Sequence, residues 1–301
     1  MNAICEKKSV QYMHVQTKIS FATTLPLYDG HCHVGLFFKY DLNKNDFDAH
    51  YSHGRKMVFI DNRHHHHRWF ANYDLDNPNV QLYTTYGIHP KYLPSNFNKA
   101  LSELHQIIKN QDHLNTSFVG IGECGLDDTS VYSYDDQLFI FKSQIKLARQ
   151  FQIPLVVHGR GLHSYASMPN EMELNLDQCH RIHWHCVNPK TDLNIISKFI
   201  NYFHNSFIGF NGSVIASNND QSQTEFNNWL IKQQNVLDRI ILETDFPFLR
   251  PTTLDKHQYN PISGITIVAQ TIVNILRTKN LNATKVIDIS NKNIQRMYGI
   301  Q

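Results

Sequence analysis

The chain has 301 residues, a formal charge of +2 and 41% hydrophobic side chains, a length that allows two domains or one large α/β barrel of about 250 residues. A charge this close to zero does not demand a nucleic-acid partner, and it leaves room for one on a local patch. Five cysteines, an odd number, argue against a disulfide framework and for a reducing intracellular compartment, cytoplasmic or nuclear, and no apolar run reaches the ~18 residues of a membrane span.

Residues 1–24 are polar and lack the apolar stretch of a secretory signal, so they read as an N-terminal arm. From residue 25 to 301 the pattern is that of one domain. Short apolar, β-rich runs predict strands over 25–29, 56–60, 80–86, 117–122, 153–157, 181–185, 206–210 and 239–243. Helical spacing fills the gaps over 97–110, 134–151, 189–203, 223–235, 265–279 and 283–298. Eight strands alternating with helices predict a single (β/α)8 TIM barrel of the α/β class. The doubly wound alternative wants a glycine-rich phosphate loop after a strand, and no such loop occurs.

The first strand runs into Asp29-Gly30-His31-Cys32-His33. Strand alternation puts Asp29, His31 and His33 on one face. One acid and two imidazoles there are costly to bury unless something binds them, and a divalent metal suits them. Barrel active sites gather at the C-terminal strand ends, and further candidates fall there: Glu123 after the fourth strand, His158 after the fifth, His185 at the end of the sixth and Asp245 after the eighth. Four histidines and two carboxylates can hold two divalent ions (Mg²⁺, Mn²⁺ or Zn²⁺), with Glu123 the natural bridge because one carboxylate offers two oxygens. The same parity turns Cys32, Cys124 and Cys186 away from the metal as small packing residues. It places His183 and Glu243 one layer deeper, as orienting partners or as a pair satisfied within the barrel. The run His64–His67 reads as a solvated loop or helix start. Arg55, Lys56, Arg63, Arg68 and Lys91, interleaved with Trp69, Tyr73 and Tyr92, could grip a nucleic-acid backbone and stack bases.

Taken in order, Asp29-Gly30-His31-Cys32-His33, Gly87-Ile88-His89-Pro90, the stretch Gly120-Ile121-Gly122-Glu123-Cys124-Gly125-Leu126-Asp127, Val157-His158-Gly159-Arg160, His185-Cys186 and Glu243-Thr244-Asp245-Phe246-Pro247 resemble the motifs of the TatD family of metal-dependent deoxyribonucleases. Arg181-Ile182-His183-Trp184-His185-Cys186 resembles its larger eukaryotic branch. Val34-Gly35 departs from the family's Leu-Asp after the second histidine. The resemblance implies a metal-dependent hydrolase barrel that cleaves phosphodiesters from the 3′ end of DNA, with RNA as a further substrate. It implies that His31, His33, Glu123 and Asp245 hold one ion, that Glu123, His158 and His185 hold the other, and that His89 and Arg160 meet the substrate. Asp245 and Glu123 would be the catalytic carboxylates. Two other readings stand beside it: an amidohydrolase acting on amides or esters, and a catalytically silent nucleic-acid-binding barrel. Such amidohydrolases often carry a bridging lysine on the fourth strand, where Glu123 stands here.

Overall fold

The computed structural model describes residues 25–40, 55–71, 77–110, 117–215 and 221–301; the expected arm over 1–24 and Tyr73 lie outside them. Eight parallel strands follow one another in chain order: β1 (Leu27–Cys32), β2 (Met57–Arg63), β3 (Val80–Tyr86), β4 (Phe118–Asp127), β5 (Leu155–Arg160), β6 (Ile182–Trp184), β7 (Ser206–Phe210) and β8 (Ile240–Leu242). The sheet nearly closes on itself. Just past β8, Asp245 N donates to His31 O (2.8 Å) and His33 N donates to Phe246 O (3.0 Å), which brings the last edge to the first. This is the expected (β/α)8 barrel.

The helices are α1 (Phe97–Lys109), α2 (Tyr134–Phe151), α3 (Leu162–Asn175), α4 (Leu193–Tyr202), α5 (Gln221–Lys232), α6 (Pro261–Leu276) and α7 (Ala283–Tyr298). Helix α3 was not expected from the sequence, because Pro169 sits inside it and reads as a breaker. Its Tyr165, Met168 and Met172 nevertheless share one helical face and are buried. In α2, Ser133 caps the N-terminus by accepting from Asp136 N (3.1 Å). No helix among the described residues is long and apolar enough to cross a membrane.

The apolar cluster between strands and helices holds Ile121, Cys124, Leu155 and Trp184 against residues such as Phe141, Ile145 and Met168. A second cluster fills the barrel interior. Tyr28, Val58, Ile60, Val156 and Ile241 meet Met297 and Tyr298 at the end of α7. That packing closes the interior below and leaves the upper end of the strands for chemistry.

Candidate functional site

Glu123 lies within β4, 3% exposed, on the floor of a cavity of about 410 Å³. The strand continues past the expected end at Gly122 and breaks register against β5 between Ile121 and Cys124. Ile121, Cys124 and Leu126 all pack toward the helices, so the irregularity between them turns Glu123 inward. Gly122 takes φ +148°, which L side chains rarely adopt, and Gly87 rests on it: a Cβ on Gly87 would stand 2.5 Å from the Gly122 carbonyl carbon.

β1 uses the same device. Its pairing with β2 shifts between Asp29 and Cys32. Tyr28 packs inside the barrel, whereas Cys32, four residues on, packs outside it with Met57 and Phe59. Simple alternation therefore fails here, and Asp29 does not share the face of His31 and His33. Its carboxylate instead accepts from Thr244 N (3.0 Å), from the Thr244 hydroxyl and from His31 N (3.2 Å), tying β1 to the segment after β8. Burial pushes the Asp29 carboxyl up to about 8.

The two oxygens of Glu123 face two groups of side chains. Oε2 lies 3.6 Å from His31 Nε2 and 3.5 Å from His64 Nδ1. On that side Asp245 Oδ1 stands 3.0 Å from His33 Nε2 and 3.6 Å from His31 Nε2. Oε1 lies 2.9 Å from His158 Nδ1, 3.2 Å from His185 Nε2 and 3.4 Å from His89 Nε2. The rings of His31 and His185 stack at 4.0 Å across the middle. All six expected ligands, His31, His33, Glu123, His158, His185 and Asp245, thus meet at one end of the barrel.

Several of these histidines have their outer nitrogen occupied by an acceptor. His33 Nδ1 is 3.0 Å from Asn62 O, His158 Nε2 is 3.1 Å from Asp127 Oδ2, and His185 Nδ1 is 3.1 Å from Glu243 Oε1. Each acceptor holds a proton on the outer nitrogen, so that it is the inner nitrogen that a metal at the centre would take as ligand. The inner Nε2 of His31 and Nδ1 of His64 are buried without a hydrogen-bond partner, and His158 Nδ1 has only the Glu123 carboxylate beside it. Orphaned imidazole nitrogens around one carboxylate are what a divalent ion satisfies, and the donor set fits one on each side of Glu123.

His89 is arranged the other way round. Its Nδ1 accepts from Lys91 N (3.0 Å), so the neutral ring carries its proton on Nε2, facing the cavity. Burial lowers its pKa, against the pull of Glu123. It is a donor, not a lone pair.

The charges are strongly coupled. Burial opposes ionisation of Glu123, but His89 and His185 hold its carboxyl well below the usual range. Burial would lower His33 too, yet Asp245 pushes it up to about 9. His31 falls to about 4 through burial and the neighbouring His185. A metal arriving at His33 must displace a proton, so its affinity rises with pH.

Glu243 is the deeper anchor. It accepts from His185 Nδ1, Cys186 N (2.8 Å) and Asn211 Nδ2 (2.8 Å), and its other oxygen lies 3.0 Å from His183 Nε2. His183 Nδ1 in turn lies 3.0 Å from the Tyr298 hydroxyl. Of the two readings of His183 and Glu243, the structure has Glu243 orienting His185.

Other expectations fare differently. Cys32 and Cys124 are buried packing residues, while Cys186 sits among Ser213 and Asn188. Arg160 ends β5 exposed, outside the cavity lining. Arg63 borders the cavity but its guanidinium is bound up with Asp61 (2.8 Å), Trp69 O and Ala71 O, and Trp69 is fully buried and offers no face to a ligand. Arg68 and the exposed rings of Tyr92 and Phe248 do line the cavity mouth. Sequence reasoning missed Asp127 and His64. Asp127 was recoverable, since it lies four residues after Glu123 on the same strand face; His64 was hidden within its run.

Over residues 28–299 the chain matches the family described as TatD related DNase. The 3′-5′ RNA nuclease TATDN2 of Homo sapiens is 26% identical over 227 residues, covering 73% of this chain. The matched part is 27% of that protein, so this chain spans about a quarter of its length. An uncharacterized metal-dependent hydrolase of Methanocaldococcus jannaschii is 25% identical over 217 residues, 72% of this chain and 76% of that one. The solved structure of the YJJV TatD homologue of Escherichia coli K12 shares the fold, with a TM-score of 0.67 at 18% identity, covering 91% of this chain and 98% of that one.

Proposed function

The chain belongs to the TatD related DNase family of metal-dependent hydrolases, and from that membership we propose that it cleaves phosphodiester bonds of nucleic acid as a 3′-5′ exonuclease. The observation that carries the reading is the convergence of buried imidazole nitrogens on both oxygens of Glu123, two of them on the Oε2 side without a hydrogen-bond partner. In this reading His31, His33 and Asp245 would hold one divalent ion together with Glu123, and His158 and His185 would hold a second with the same carboxylate. Such a pair, when bound, supplies Lewis acidity to both the attacking and the leaving oxygen of an in-line displacement.

The chain's own groups do the rest. Asp245 presents a carboxylate at the cavity floor beside His33 and His31 and accepts the proton of the attacking water. His89 donates its Nε2 proton to a phosphate oxygen, the role its Lys91 contact leaves open. Tyr92 and Phe248 offer exposed rings on which bases can stack, and Arg68 adds positive charge at the mouth. Arg160 would meet a phosphate beyond the cavity.

The family description names DNA and the human relative's name gives RNA, so both belong in the test. Metal-stripped protein is reloaded with Mn²⁺ or Mg²⁺ and given 5′-labelled single strands of DNA and RNA beside a panel of esters and amides. Stepwise shortening from the 3′ end that requires reloading is expected. Turnover of the ester or amide panel with both nucleic acids left intact would instead favour the amidohydrolase reading.

A further inference from the structure

The four imidazoles of the His64–His67 run go to different places. His67 is exposed, His66 pairs with Glu103, and His65 stacks on Tyr92 with ring centres 3.9 Å apart. His65 also borders the cavity, but it is His64 that reaches Glu123. It follows β2 directly, where the Arg63 contacts to Asp61, Trp69 O and Ala71 O pin the chain, and its carbonyl accepts from His89 N (3.4 Å). Its side chain is 11% exposed, and its ring lies against Tyr92 on one side and edge-on to His33 on the other.

We propose that His64 is a protein ligand, through Nδ1, to the divalent ion held between His33 and Glu123 Oε2. Nδ1 is buried with no hydrogen-bond partner, 3.5 Å from Glu123 Oε2, and it forms a compact triad with His33 and Glu123. Two donor atoms that share one ion, each about 2.1 Å from it, stand roughly 3–4 Å apart, so the spacing is that of ligands to a common centre. A backbone acceptor holds the His33 proton on Nδ1, leaving Nε2 for the same centre. The contrast with His89 is informative. Both rings border Glu123, but His89 has its Nδ1 filled by Lys91 N, whereas the Nδ1 of His64 faces the centre with nothing on it.

The consequence is chemical. A further imidazole makes this position rich in nitrogen, which favours ions of the Zn²⁺ class over Mg²⁺, a hard ion that prefers oxygen donors and bound water. The sequence run would then have one metal-binding member, His64, beside one that borders the cavity, one paired with Glu103 and one exposed.

This inference rests on the metal reading of the cluster and not on the choice of substrate. The test is therefore metal binding by the full chain without nucleic acid. Wild type, His64→Ala, His64→Gln, His65→Ala and His33→Ala are stripped and titrated with Zn²⁺ against a competing chelator, and Co²⁺ absorption reports the ligand field. Loss of an orienting partner costs about 10–100-fold in metal affinity, so loss of a direct ligand should weaken one ion by at least ~10-fold in both His64 variants. The Co²⁺ spectrum should change with it, the preference for Zn²⁺ over Mg²⁺ should narrow, and His65→Ala should match wild type. Unchanged affinity and spectrum in a folded His64 variant, with the ion lost in His33→Ala, overturns the role of His64 alone. Wild-type binding retained in His33→Ala overturns the metal reading of that side altogether. His64→Gln keeps the volume of the ring's inner half, so the question stays answerable where the alanine variant does not fold.

Discussion

Asp245 stands in the left-handed region at φ +54°, a conformation that costs a residue with a side chain on the order of 1 kcal/mol. Its N–H bond to His31 O and the Tyr259 hydroxyl bonded to Thr244 O (2.9 Å) hold the backbone there, and the carboxylate is thereby aimed at His31 and His33. Asp245→Asn keeps the shape and removes the proton acceptor. Single-turnover cleavage should fall by at least ~10²-fold, the low end for loss of a general base. Metal on the His158 and His185 side should survive, and cleavage near the wild-type rate would move the base elsewhere. Away from the site, His180 is buried with Nε2 unpartnered, and burial lowers its pKa. The unfolded chain takes up that proton near pH 6.5 while the folded chain resists it, so His180 removes stability as pH falls below about 6.5. Urea unfolding between pH 7.5 and 5 should show a shallower loss in His180→Gln than in wild type; equal slopes would mean that His180 does not titrate differently on folding.

At the scale of elements, irregularities in β1 and β4 do what regular strands cannot. Each switches the inward face within a few residues and delivers a histidine or a carboxylate to the centre. Helix α2 supports the result from outside. Gln144 brackets Ile88, accepting from its N–H (2.8 Å) and donating to its carbonyl (3.1 Å), and so sets the loop that carries His89. Gln137, seven residues earlier on the same helical face, accepts from Asp127 N (2.9 Å), which sets the residue that orients His158. β7 contributes by leaving space. A Cβ on Gly209 would stand 2.2 Å from Glu243 Oε2 and 2.6 Å from His183 Nε2. Gly209→Ala should therefore cost about 1–3 kcal/mol through overpacking, and by displacing Glu243 it should loosen the ion at His185. Thermal unfolding and metal content together check this, and a variant with unaltered metal content would detach Glu243 from the site. These devices also mark what the sequence could reveal. Strand existence was legible because β-rich runs alternate with helical spacing. The face of Asp29 was not, because a shift of register leaves no periodic trace, and α3 was hidden by one proline that its helix accommodates.

At the scale of the whole molecule, the barrel turns scattered residues into one centre. His31 lies on the first strand and Asp245 just past the last, yet these strands are neighbours across the closure. The convergence of the six residues expected as ligands was legible because parallel barrels bring every strand's C-terminal end to one rim, so position along the strand alone predicts it. His64 could not be read that way, since it lies beyond its strand in a run whose other members face elsewhere. The charge balance also has its explanation at this scale: much of the cationic character near the site is spent on internal pairs such as Arg63 with Asp61 and Lys91 with Asp127. The proposed centre turns on one residue, Glu123, whose two oxygens face both groups of histidines. The most direct measurement is the number of divalent ions bound per chain by Glu123→Gln and by wild type, each dialysed against the same buffered Mn²⁺ or Zn²⁺. Two ions in the wild type and a loss affecting both positions in the variant are predicted; a variant that keeps two ions at wild-type affinity would contradict the bridging role of Glu123.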